Sequence, residues 1–457
     1  MPYINDTFPL HRRQRVFRYL LEFVHSQSVA QGQAWITNWF LDETRRIAPA
    51  YTELGMPNIL DFFAYLFFRQ GNIDNLDELQ LKEITSYAQL ICSKLGEVKN
   101  KRNNKFHAMR PPCDSIIPMC QEAPILYYLF FDFCIRYLCT EIMFLRMKYT
   151  RRNDIEPLKY FVKKSINKTD NHNIGIEVSE KKWHDYSVDR NTDDNIPLIF
   201  FHGLGAGLST YYLLFQYFIN SKKFENRTVI IIDMPYVSIE FPKFFFSAPT
   251  IQEMNIYIET IVRRECPCFS NKQKVTIDIL AHSYGTFVAA NLIYTRNNVK
   301  ARHAIIVDPV AIQLFRSTLC KTFLYTRKVN REDLLDILSL HAMKDISIAR
   351  TLMRHGDWFD GNIWLEDVLS YVDSIHVFMA GNDKFVPVKH IEESILRVKL
   401  LHGFNDCQMS SCLLPNTGHG TFFYVKNEIA HVIKLLEGSA LQRHGGKFLK
   451  RAKEKSL

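Results

Sequence analysis

Over the first 150 residues apolar side chains recur at three- and four-residue spacing across 15–24, 34–46, 58–70 and 76–95, which predicts a run of amphipathic helices. A basic loop follows (Lys99, Lys101, Arg102, Lys105), ending in Pro111-Pro112, a boundary signal. From about Asn173 the pattern changes. Short β-branched or apolar runs at 198–201, 228–232, 275–280, 303–307 and 375–379 alternate with helical stretches such as 252–264 and 286–295. That alternation predicts an α/β fold over 173–438, a mostly parallel sheet with helices on both faces, preceded by a helical N-terminal region at 1–150.

The most apolar stretch is 124–147, PILYYLFFDFCIRYLCTEIMFLRM. On a helix, Asp132, Arg136 and Thr140 fall four apart in one narrow polar stripe, and every other face is apolar. Such a helix packs against protein, lies in a membrane interface, or spans a membrane with its stripe turned inward. Its four charges count against spanning. Lys148, Arg151 and Arg152 follow at once, as expected at a headgroup layer.

Composition narrows the class. The 457 residues are 47% hydrophobic and 23% charged, enough for two or three domains and a sizeable core, and unlike disordered, collagenous or disulfide-scaffold chains. The net charge of +9 is concentrated in two places. Residues 443–457, within a basic tail at 439–457, carry six Lys/Arg against one Glu, and 148–164 carry six against two acids. Placed so, the charge suits an anionic membrane surface, or merely solvated tails, better than nucleic acid. The ten cysteines include no CxxC pair, and Cys266-Pro267-Cys268 lacks a histidine at metal spacing. Neither a metal nor a cofactor is expected, and the thiols are expected reduced. The N-terminus has no apolar signal core, so an intracellular protein is expected; the pattern says nothing of oligomeric state.

Candidate chemistry begins at 275–280, a strand followed by Ala281-His282-Ser283-Tyr284-Gly285 and then a helix. A sharp strand-to-helix turn needs small residues two before and two after its apex, which Ala281 and Gly285 supply. The apex, Ser283, is then a nucleophile's position. Upstream, a strand enters His202-Gly203-Leu204-Gly205, whose backbone amides can meet a developing oxyanion; Leu204 and Tyr284 are the expected donors, with His202, Gly203 and Gly205 shaping the loop. A phosphate loop would need different glycine spacing and a following Lys-Ser/Thr helix. Downstream, the strand at 375–379 leads to Asp383, a carboxylate able to orient an imidazole. Asp308, ending the preceding strand, is the rival acid. His419 lies between Gly418 and Gly420 on a loop, a suitable general base.

The order Ser, Asp, His, with HGLGAG at 202, AHSYGT at 281, VDPV at 307, RHGDWFDGNIWLED at 354 and GNDKFVP at 381, resembles the α/β-hydrolase superfamily. Within it these runs look like a eukaryotic group with a hydrophobic helical N-terminal region. The resemblance covers 173–438. It implies Ser283 as nucleophile, Asp383 as acid, His419 as base, and Leu204 and Tyr284 as oxyanion donors.

A cap is expected at 311–370. The helix over 331–343, with Met353, Trp358, Phe359 and Trp364, would offer apolar surface over the serine, joined by the PKFFF run at 242–246. The expected activity is hydrolysis of a carboxylic ester with an apolar acyl group. An acyltransferase and a non-catalytic membrane-associated scaffold are the alternatives. His355 and Asp360 also fit an HxxxxD acyltransferase pattern but lie within the cap, away from a strand end.

Overall fold

The computed structural model describes residues 9–44, 47–111, 113–114, 129–155, 158–164, 196–225, 227–239, 248–269, 274–294, 298–325, 345–355 and 361–436. The expected helix over 331–343, the run at 242–246, Trp358, Phe359, Asp360, the start of the 124–147 segment and the basic tail lie outside the described residues.

Helices α1 (Leu10–Ser26), α2 (Val29–Thr37), α3 (Met56–Phe68) and α4 (Glu78–Leu95) open the chain. Capping boxes start two of them, Ser28 with Gln31 on α2 and Asp77 with Gln80 on α4. The helix expected over 34–46 stops at Thr37. Trp39, Phe40 and Leu41 are all buried, which suits a short strand between two layers, and β1 (Phe40–Asp42) pairs antiparallel with β2 (Phe106–Ala108).

Leu129–Cys139 is π-helical and runs into α5 (Thr140–Arg146). Thr140, one of the three residues of the expected polar stripe, is buried. Phe133, Tyr137, Ile142 and Leu145 are exposed. Among the described residues no helix is long and apolar enough to cross a membrane.

Eight strands form the main sheet: β3 (Thr150–Ile155), β4 (Leu158–Lys163), β5 (Leu198–Phe201), β6 (Val229–Asp233), β7 (Val275–His282), β8 (Val299–Val307), β9 (Ser374–Ala380) and β10 (Met409–Leu414). Their order is β10-β9-β8-β7-β5-β6-β4-β3. β4 runs antiparallel to both its neighbours, and the other pairs are parallel. The sheet therefore begins at Thr150, upstream of the expected Asn173. The edge strand TRRNDI is charged where the inner strands are continuous apolar runs, and this hid the hairpin.

The helices of the α/β unit are α6 (Tyr212–Asn220), α7 (Ile251–Glu265), α8 (Gly285–Tyr294), α9 (Ile346–His355), α10 (Val388–His402) and α11 (Lys426–Leu436). Alternate residues of each strand point to opposite faces. Ile199, Phe201, Ile230 and Ile232 enter one core with α7 and α8; Phe200, Ile231 and Leu280 enter the other with Phe144, Phe215 and Ile429. The first core runs without interruption into α1–α4. Trp35 and Trp39 both donate their indole N–H to the Phe315 carbonyl, at 2.8 and 3.0 Å. Arg15 meets Asp367 at 3.3 Å, and Tyr19 stacks on Trp364. The N-terminal helices thus back the segment expected to form the cap.

At the far end of the sheet Asp278 is buried between Arg227 and Arg302, with Arg302 Nη2 at 2.7 Å. Burial alone would raise its pKa, but the hydrogen bonds and charges of the two guanidiniums outweigh this and hold it below the ordinary value. Removing it leaves two cations without their shared acid. Asp278→Ala is expected to lower stability by about 3 to 5 kcal/mol in denaturant titration. Because the folded-state pKa is depressed, Asp278 stabilises the wild type above about pH 3.9 and ceases to as pH falls through the folded value, so the loss in the variant should shrink in acid.

Candidate active site

β7 ends against a turn with little room. Ser283 has φ 50°, a left-handed conformation costly for a residue with a Cβ. The turn is held by Ser283 N–H to Val307 O at 3.0 Å and by Thr286, whose amide and hydroxyl both donate to Ser283 O. Gly285 is required by packing: a Cβ there would sit 2.4 Å from Phe201 O.

Three loops converge on this serine. Ser283 Oγ lies 2.8 Å from His419 Nε2, and His419 Nδ1 lies 2.6 Å from Asp383 Oδ2. A carboxylate can only accept, so Nδ1 carries the proton and Nε2 is free to accept from the serine. Asp383 has no exposed side-chain surface and is held by the amides of Phe385 and Val386 at 2.7 and 3.0 Å. Burial alone would lower the His419 pKa, yet the charge and hydrogen bond of Asp383, together with the charge of Asp308, raise it above the ordinary value.

Asp308, the rival carboxylate, is bonded elsewhere. Its two oxygens accept from the amides of Ala380 at 2.9 Å and Gly420 at 2.8 Å, so it ties the segment leading to Asp383 to the loop that carries His419. Its Oδ2 also faces His282 Nε2 at 3.6 Å, too long for a hydrogen bond. Burial would raise its pKa, but His282 and His419 outweigh that and lower it. Its left-handed φ of 45° is a conformation that aspartate tolerates.

The loop 202–205 passes directly over the turn. A Cβ on Gly203 would lie 2.7 Å from His282 Nδ1 and 3.0 Å from Ser283 Cβ. His202 is buried and clamps the loop, with Nδ1 on Gly203 O at 2.6 Å and Nε2 accepting from Met234 N at 2.8 Å. Gly205, at φ 127°, bonds through N–H and O to Val237 and Ile239. The amides of Leu204 and Tyr284 have no hydrogen-bond partner among the described residues.

Tyr211 carried no signal in the sequence. Its hydroxyl accepts from Gly203 N–H at 2.8 Å and shares a hydrogen bond with His282 Nδ1, 2.7 Å away. Met353 and Trp364, expected over the serine, are core side chains; Trp364 stacks on Phe315 and Tyr19. Aromatic groups at the site include Phe385, edge-on to His419 at 5.2 Å, and Tyr236 beside Tyr284. One donor atom each from Asp308, Asp383 and His419 falls within 4.8 Å of the others. Since those atoms already bond amides and one another, a cation there would have to displace these contacts.

No family model and no curated protein matches the chain. Solved structures similar to it include a bacterial membrane phospholipase A (12% identity, 69% of this chain and 95% of that one, TM-score 0.40). Carboxylesterase CesB of Bacillus subtilis is 12% identical (69% and 99%, TM-score 0.39), and naproxen esterase of Bacillus subtilis is 11% identical (66% and 97%, TM-score 0.39). At TM-scores under 0.5 the fold is defined by this chain's own topology. By the order of its eight strands, the antiparallel second strand, and a strained serine turn between β7 and α8, the chain has the α/β-hydrolase fold.

Proposed function

We propose that the protein is a serine hydrolase that cleaves a carboxylic ester with an apolar acyl group. The observation that supports this most is the continuous hydrogen-bonded line from Ser283 Oγ through the His419 ring to Asp383. In the proposed reaction Ser283 Oγ attacks the acyl carbonyl carbon while His419 Nε2 takes its proton. The carbonyl oxygen gains the negative charge, and the amides of Leu204 and Tyr284, without a partner among the described residues, are its proposed donors. Collapse breaks the ester C–O bond, and the departing alkoxide takes the proton from His419. Water, deprotonated by His419, then attacks the acyl-enzyme and releases the acid. The aromatic neighbours Phe385, Phe323, Tyr236 and Tyr284 favour an apolar acyl chain over a charged one.

Turnover of a p-nitrophenyl ester series tests the reading, with activity expected to rise from acetate towards longer acyl groups. A folded sample that neither turns over any ester nor reacts with a fluorophosphonate would favour the scaffold alternative. Transfer of the acyl group to an added alcohol in preference to water would favour the acyltransferase.

The raised pKa of His419 has a direct kinetic sign. The base must be neutral, so kcat/KM is expected to climb with pH through a midpoint above about 6.5. Conversely, the stability contributed by the protonated ring is complete below about pH 6.5 and is lost as pH rises through the folded value. Asp308→Asn removes one of the charges that raise His419 and should move the acid limb of the profile to lower pH. An unmoved limb would mean that Asp308 only ties the loops together.

A further inference from the structure

Single exposed leucines or phenylalanines are ordinary on a protein surface, whereas a row of them along one helix is not. On the helical segment 129–146, Leu129, Phe133, Tyr137, Ile142 and Leu145 are all exposed, Leu145 by 79%. The opposite side is anchored. Phe144 stacks on Phe161 at 4.0 Å and lies 5.3 Å from Phe215, and Met143 and Met147 are buried. The apolar row is therefore not the product of a loosely attached helix.

Charge decides what fits this face. At its C-terminal end Arg146 and Lys148 are exposed, while the nearby acid, Glu141, is tied to Arg151. Apolar side chains in a row, closed at one end by cations, match the interface of an anionic bilayer, where rings and leucines sink among acyl chains and cations meet headgroups. The helix also packs against the turn Gly207–Tyr211, whose Tyr211 hydroxyl bonds both the Gly203 amide and His282. The helix thus packs on the same turn that supplies Tyr211 to the loop over the serine.

We infer that the 129–146 face docks on an anionic phospholipid bilayer and brings the serine site to ester carried in that bilayer. The docking stands on the surface alone; the supply of ester rests on the hydrolase reading.

The full-length protein is sedimented with phosphatidylcholine vesicles, with and without phosphatidylserine, at low and high salt. Binding is expected, stronger with phosphatidylserine and weakened by salt. Phe133→Glu with Ile142→Glu, and separately Arg146→Glu with Lys148→Glu, should each cut binding by about tenfold or more. Both pairs alter exposed positions and should leave p-nitrophenyl acetate turnover unchanged while slowing release of fatty acid from vesicles. Wild-type protein that stays in the supernatant at low salt overturns the docking, as does undiminished binding by both variants. A dimer in solution that Phe133→Glu dissociates, without vesicle binding, would instead assign the face to a second copy. Vesicle binding without turnover of any ester would keep the docking and sink the hydrolase reading.

Discussion

Ser283→Ala is expected to lower ester turnover on the order of 10⁶-fold, the scale seen when a triad serine is removed, leaving only what binding and the amide donors contribute. The substitution is small in every other respect. Ser283 is already in a left-handed conformation with a Cβ, so alanine adds no strain, and the main-chain bonds to Val307 and Thr286 do not involve the hydroxyl. Folding stability should therefore be nearly unchanged while fluorophosphonate labelling disappears. Persistent labelling in this variant would remove Ser283 as the reactive group, whatever happened to the rate.

Asp383→Asn is expected to cost on the order of 10⁴-fold in kcat with the side chain's shape preserved. The reason lies in donor and acceptor counting. Asp383 can only accept from His419 Nδ1, and its second oxygen is occupied by the amides of Phe385 and Val386. An asparagine keeps those two amides on its carbonyl oxygen and turns its NH₂ towards Nδ1. The ring then shifts its proton to Nε2 and can no longer accept from Ser283. The same change removes the largest charge favouring protonated His419, so the residual activity should show its acid limb at lower pH than in the wild type. Retention of most of the wild-type kcat would mean that Asp308 serves as the acid, in spite of its bonds to Ala380 and Gly420.

Much of the sheet was readable along the chain. The inner strands are buried on both faces, and runs such as VIIID and VTIDILAH carry that burial as plain hydrophobicity. The serine turn was readable because its crowding restricts residue type locally: Gly285 has no room for a Cβ beneath Phe201. The edge hairpin β3–β4 was not, since an edge strand with Arg151 and Arg152 resembles a loop. Nor was β1, where the buried run Trp39, Phe40 and Leu41 mimicked a continuing helix. The π-helical register at 129–139 was not readable either, because a spacing argument assumes α turns from end to end.

The sequence by itself determined which residue types could do the chemistry and in what order they occur, together with the strands that carry them, because crowding at a turn and burial of a strand act on neighbours in the chain. Only the tertiary structure put Asp383, and not Asp308, in hydrogen-bond contact with His419, and gave Asp308, Tyr211 and His282 their places. Those assignments depend on distances between the ends of different strands: 2.6 Å from Asp383 to His419, and amides of two separate loops on Asp308. No local pattern encodes such distances, because the sheet sets them only after β7, β8, β9 and β10 have paired side by side.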